Sequence, residues 1–216
     1  KYGNRCTSVV AIFILKKNSE NTGQKRILLA SFFTLLNDRM SESLLVGLLP
    51  GFFLKFLGSA SIYTYIAGTY SFAQFIAAPL IGIYSDKYGR KPVMLVCIAG
   101  SVLGISIVAF TLLFDWSNLN NILKALPLLP IYLLFMARLV DGISGGTVAT
   151  ATTVLADISN PETRAKTFGL IGVAFGLGFL LGPGLGTTLA KFSVTLPVWV
   201  AAAIACLNLF LVINVL

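Results

Sequence analysis

The chain has 216 residues, of which 56% are hydrophobic and 11% charged, with a net charge of +8 and a mean hydropathy of +0.88. A soluble domain carries about 25% charged residues, so this composition excludes a soluble enzyme, a nucleic-acid module and a disordered tail. The sequence holds no His, which removes any His-based zinc site or catalytic triad.

The chain opens at Lys1 and closes inside an apolar run. Both ends read as cuts in a longer protein. Residues 1–26 form a cytoplasmic lead-in that ends in KKNSENTGQKR. Its apolar run Val9–Leu15 is too short to span a bilayer, which takes about 20 apolar residues. Six later segments are long enough: 27–54, 62–83, 93–114, 127–156, 167–190 and 197–216. The outer loop around Asp115–Ala125 is the longest connection, and no separate soluble domain is visible. Cys6, Cys97 and Cys206 are far apart in apolar stretches and read as small core residues, not a disulfide frame.

Lys and Arg set the orientation. With the N-terminus in the cytoplasm, the inner segments hold Lys1, Arg5, Lys16, Lys17, Lys25, Arg26, Lys87, Arg90, Lys91, Arg164 and Lys166. The outer loops hold Lys55, Lys124 and Lys191. Both ends of the six-helix unit then face the cytoplasm, with Trp116 and Trp199 near the outer interface.

Five charges fall inside the spans: Asp38, Arg39 and Glu42 in the first, Arg138 and Asp141 in the fourth. Each costs at least about 2.5–3.5 kcal/mol at the bilayer centre, so they need partners or a water-filled cavity. Asp38 lies about 16 Å from the inner edge of a ~30 Å core, and Arg138 about 12–16 Å from the outer edge. The two are level, and the first and fourth helices are expected to face a common polar cavity. Asp38 and Glu42 are four residues apart and share a helix face. Two readings stay open: a fixed structural pair, or an ion or proton path.

Three motifs add a family. The stretch Gly82-Ile-Tyr-Ser85-Asp86-Lys87-Tyr88-Gly89-Arg90-Lys91-Pro92 reads as the loop after the second span. It resembles the signature loop of the major facilitator superfamily, G-x-x-x-D-x-x-G-R-[KR]. Arg138-Leu-Val-Asp141-Gly142-Ile-Ser-Gly145-Gly146 is similar to that family's fourth-helix motif. Gly178-x-x-x-Gly182-Pro183-x-x-Gly186-Thr187 resembles the fifth-helix motif of its drug:proton antiporter branch, with Thr187 where a second Gly is usual. In the first span, Asp38 ahead of Leu49-Pro50-Gly51 looks like tetracycline-efflux members. Gly47 stands for an earlier Pro of that pattern, and Arg39 and Glu42 are additions.

The resemblance covers residues 27–216, one all-α six-helix half of a twelve-helix transporter, and implies a second half in the same polypeptide or a partner chain. It implies secondary active transport by alternating access, with proton-coupled export of a small organic molecule ahead of uptake of a sugar or organic acid. A non-transporting scaffold in a larger assembly is the third reading. Proton coupling is assigned to Asp38, Glu42, Arg138 and Asp141. A gating network is assigned to Gly82, Asp86, Gly89, Arg90, Lys91 and Asp157, and helix packing to Gly178, Gly182, Pro183 and Gly186. The partners are the lipid bilayer, protons and the substrate. No enzyme activity, cofactor, metal, ATP site or nucleic acid is expected. The membrane is a bacterial inner membrane or that of an organelle.

Overall fold

The computed structural model describes residues 23–45, 60–113, 129–159, 161–193 and 195–215. Among these the chain is helical. The helices are α1 (23–45), α2 (Ala60–Tyr88), α3 (Arg90–Leu113), α4 (Leu129–Ser144), α5 (Thr147–Asp157), α6 (Pro161–Ala190) and α7 (Leu196–Val215). Five stretches are long and apolar enough to cross a membrane: Thr64–Tyr88, Arg90–Leu113, Leu129–Asp157, Pro161–Ala190 and Leu196–Val215. The first segment is helical over 23–45 but carries Asp38, Arg39 and Glu42. The remainder of that segment, Leu49-Pro50-Gly51, Cys6, Val9–Leu15 and the Asp115–Ala125 loop with Trp116 lie outside the described residues.

Three boundaries differ from the sequence reading. The loop after the second span shrinks to Gly89. Helix α2 runs on to Tyr88, the Gly89 N–H bonds the Ser85 carbonyl at 3.1 Å, and α3 starts at Arg90. Gly89 has φ +96°, a left-handed turn that a glycine makes without strain. The fourth span is two helices. After Ser144 the ladder tightens, with the Gly145 N–H on the Gly142 carbonyl at 3.1 Å, and it restarts at Thr147. Two successive glycines supply little helix propensity to bridge that point. The fifth span begins at Pro161, whose missing N–H and fixed φ suit a first turn, with Glu162 favouring the helix N-terminus.

The packing is layered. One apolar cluster joins Leu44, Leu45, Ile66, Ile105, Val108, Leu134 and Val198. A second joins Leu35, Met94, Ile98, Ala151, Leu155, Ala174 and Val212. Along α1, α3 and α7 the level between the two clusters holds polar side chains turned inward: Asp38, Arg39, Ser41, Glu42 and Ser43, then Ser101, then Asn208. On α4 the same level is taken by Arg138 and Asp141, before α5 joins the second cluster. A polar stratum is thus sealed above and below by hydrocarbon. Cys97 is buried as expected, whereas Cys206 is exposed, on a face where a small apolar side chain meets lipid without penalty. Trp199 packs edge-on against Phe110 at 5.8 Å.

Glycines let the charged helices come close. A Cβ at Gly178 would lie 2.7 Å from the Arg39 Cβ, one at Gly182 would overlap the Ser43 hydroxyl, and one at Gly186 would lie 2.9 Å from the Leu44 carbonyl. The approach lets Ser43 donate to the Gly178 carbonyl at 2.8 Å. On the other flank of α1, Ser41 donates to the Ala201 carbonyl at 3.0 Å. Pro183 sits inside α6. Thr187 is exposed and its hydroxyl bonds the Pro183 carbonyl at 2.9 Å. Thr187 therefore costs no closeness of packing against α1.

Gly178→Ala and Gly182→Ala are expected to lower stability by about 1–3 kcal/mol through overpacking. Gly176→Ala, where a Cβ meets nothing within 4 Å, is expected to hold or raise stability, because Ala is the better helix former. Thermal unfolding of the purified protein in detergent checks both.

Candidate functional site

The polar stratum is built around Arg39. Its guanidinium donates to the Asp38 carboxylate from Nη2 at 2.6 Å and Nε at 3.2 Å. Nη1 pairs with Glu42. The other face of the guanidinium lies 5.4 Å from the Phe175 ring centroid on α6. The Arg39 side chain is 8% exposed, with Asp38 and Glu42 at 13% and 19%. Tyr70 of α2 lines the same cavity as Glu42.

Arg138 and Asp141 are one helical turn apart on α4 and pair at 3.1 Å, both buried. Ser101 of α3 lines the same cavity as Asp141. Among the described residues, Arg138 Nη2 has no hydrogen-bond partner. Glu42 of α1 and Asp141 of α4 line the same cavity.

These groups meet at a small enclosed space. A cavity of about 20 Å³, room for about one water molecule, is lined by Asp38, Glu42, Tyr70, Ser101, Asp141 and Asn208 among others. The structure thus brings Asp38, Glu42 and Asp141 around one cavity with α1 and α4 facing each other. The cation on Asp38 is its neighbour Arg39, and Arg138 is taken by Asp141. Level depth along two helices does not specify which faces meet.

Sequence reasoning passed over Tyr70, Ser101 and Asn208. Their signal was present: each is a polar side chain in an otherwise apolar span. Asn208 Nδ2 reaches the Thr34 carbonyl at 3.4 Å and ties α7 to α1. Close crossings hold α4 in place. A Cβ at Gly142 would lie 2.5 Å from the Tyr70 carbonyl, and one at Gly104 would lie 2.8 Å from the Asp141 Cβ.

A second cluster sits where α2 turns into α3. Arg90 Nη1 pairs with Asp86 at 2.5 Å and donates to the Ser85 hydroxyl at 3.2 Å. Arg90 Nε donates to Asp157 at 3.1 Å. Asp157 ends α5, where the helix dipole disfavours a carboxylate, and Arg90 offsets that. The one-residue Gly89 turn places Arg90 for all three contacts. Lys91 turns away and donates to the Ile213 carbonyl of α7 at 3.2 Å. Gly82 lies inside α2 with nothing within 4 Å of a Cβ placed there.

Comparisons with known proteins agree on one family. The model of the Major Facilitator Superfamily matches residues 27–216. The chain is 34% identical to the class C tetracycline resistance protein of Escherichia coli, over 82% of this chain and 41% of that protein. It is 31% identical to Major facilitator superfamily domain-containing protein 10 of Homo sapiens, over 77% of this chain and 39% of that protein. The crystal structure of the human organic anion transporter MFSD10 (TETRAN) superposes with a TM-score of 0.70 at 29% identity, covering 89% of this chain and 47% of that chain. The chain spans less than half the length of these relatives.

Removing the central cation tests the stratum. Arg39→Met leaves two buried carboxylates without their cation and is expected to cost about 3–5 kcal/mol. Adding Asp38→Asn and Glu42→Gln is expected to restore most of that. The midpoint of thermal unfolding reads both steps, and a single variant as stable as the parent would show the ion pairs to be idle.

Proposed function

The chain belongs to the Major Facilitator Superfamily, and from that premise we propose that residues 27–216 act as one half of a secondary active transporter that exports a small organic molecule in exchange for protons by alternating access. A second six-helix half, in the same polypeptide or a partner chain, completes the path. The N-terminus lies in the cytoplasm. The relatives named for tetracycline resistance and for organic anion transport point to an organic substrate larger than a simple ion.

The observation that carries this reading is the charge count of the stratum. Among the described residues three carboxylates, Asp38, Glu42 and Asp141, line one water-sized cavity with the Arg39 guanidinium, and Arg138 joins the group only through its pair with Asp141. The surplus negative charge, sealed between apolar layers, is a place for a proton. Asp38, Glu42, Arg138 and Asp141 carry the coupling, and Arg39 joins them as the fixed counter-charge.

The Asp86–Arg90–Asp157 cluster is the gate at the cytoplasmic edge. Its pairs are partly exposed, and each is worth about 0.2–1 kcal/mol. That is too little to hold a fold and enough to bias two conformations of similar energy.

Coupling is tested with the full-length protein in vesicles under an imposed pH gradient, with tetracycline and a fluorescent organic anion as probes. Gradient-driven movement of a probe is expected, and with Asp38→Asn probe-driven proton movement falls to the level of protein-free vesicles while probe binding survives. Proton movement at the parental rate would remove Asp38 from the coupling role. Movement only down the probe's own gradient would point to a uniporter.

The gate has its own test. Arg90→Gln loses both pairs and is expected to shift the conformational balance by about 1 kcal/mol, roughly fivefold. Labelling of a cysteine placed on the cytoplasmic side of the cavity would rise accordingly. Unchanged labelling and transport would reject the gate.

A further inference from the structure

The charge stratum and the gate leave one large cavity without a role. A groove of about 470 Å³ opens between α2, α3 and α4, lined by Tyr84, Tyr88, Val93, Val96, Cys97 and Ile143 among others. That volume lies within the range of about 300–1,000 Å³ typical of small-molecule sites. The lining is apolar, and Val96 is 72% exposed at its rim. The elements that form it are long and apolar enough to cross a membrane, so lipid reaches the groove wherever the second half leaves it open.

One end of the groove is polar. Tyr84 and Tyr88 stack at 6.0 Å with an interplanar angle of 17° in the last turns of α2. Amphipathic aromatics at a helix end mark the headgroup level of a bilayer. Lys87 Nζ lies 5.3 Å from the Tyr88 ring centroid. Among the described residues Lys87 has no carboxylate partner, because Asp86 and Asp157 are both taken by Arg90. A cation thus stands beside the aromatic end of an apolar groove with no carboxylate among the described residues paired to it.

We propose that this groove is a binding site for an anionic phospholipid, with one acyl chain between α2 and α3 and the headgroup phosphate on Lys87. Apolar walls select for a chain, and an unpaired lysine at headgroup depth selects for net negative charge. Basic pockets between spanning helices take anionic headgroups in this way. A zwitterionic lipid brings its own cation to Lys87 and loses that preference.

The test is native mass spectrometry of the full-length protein in detergent with phosphatidylglycerol and phosphatidylethanolamine at equal concentration. The parent is expected to retain phosphatidylglycerol in preference. Lys87→Gln, at an exposed position that leaves the core intact, is expected to weaken that retention about fivefold, while Lys87→Arg keeps it. Val96→Trp, which fills the groove, is expected to reduce retention of both lipids. Equal retention of the two lipids by the parent, or parental retention by Lys87→Gln, would overturn the proposal. So would a disulfide between Val96→Cys and a cysteine in the second half, since protein would then cover the groove.

Discussion

Placing Asp38, Arg39 and Glu42 within about one turn of one helix is tolerable only because the guanidinium reaches both carboxylates at once. A lone carboxylate at this depth carries a desolvation cost of several kcal/mol. Arg39 divides its donors between Asp38 and Glu42 and lays its flat face on Phe175, so its ends are occupied and its faces are dry. The two apolar clusters on either side keep water away from that arrangement. They also strengthen it, because charges attract more strongly where the surroundings polarise less.

The glycine ladders follow from that need. Phe175 reaches Arg39 because α6 lies close on α1, and α6 lies close because Gly178, Gly182 and Gly186 present no side chain there. On α4 the same device operates on two flanks, with Gly142 against Tyr70 and Gly104 against Asp141. Lipid supplies no hydrophobic drive for helices to associate, so packing and polar contacts must hold the bundle. Serine and asparagine hydroxyl and amide groups then bond carbonyls across helices, as Ser43, Ser41 and Asn208 do. Other glycines of α6, Gly169, Gly172 and Gly176, meet nothing within 4 Å. The three glycines of the motif are thus the ones in contact with α1, and these glycines outside it are not.

The helices and the Arg90 cluster were legible in the sequence, for different physical reasons. A span announces itself because some 20 apolar residues have few other uses. Asp86, Arg90 and Asp157 were legible through a motif whose glycine turn has one workable geometry. The pairing inside the stratum was not legible from depth. Residues at one level can face any direction, and only packing showed that Arg39 is Asp38's partner. The one-turn spacing of Arg138 and Asp141 was the better guide, since residues three apart share a helix face. Tyr70, Ser101 and Asn208 stayed hidden because a single polar residue in a span has no periodicity. The break at Gly145-Gly146 was written in the sequence, but a continuous apolar run conceals an interruption of two residues.

That break has a consequence for how the two charged clusters communicate. Arg138 and Asp141 ride on α4, while Asp157 rides at the far end of α5. A continuous helix would make them one rigid rod. Instead the ladder is interrupted at Gly145, whose carbonyl is held across the bundle by the Gln74 amide of α2 at 2.9 Å. Gln74 belongs to the same helix that carries Tyr70 at the cavity with Glu42 and Asp86 on Arg90. Helix α2 therefore touches the charge stratum, the Gly145 break and the Arg90 cluster, with Pro79 inside it, whereas the fourth span reaches the same points across the break. A change in charge at Glu42 or Asp141 acts on α2 and α4 directly. It reaches Asp157 only through α2 and Arg90, or through a glycine pair that bends. Each route between the stratum and the Arg90 cluster therefore carries one interruption, Pro79 inside α2 and the glycine pair in the fourth span.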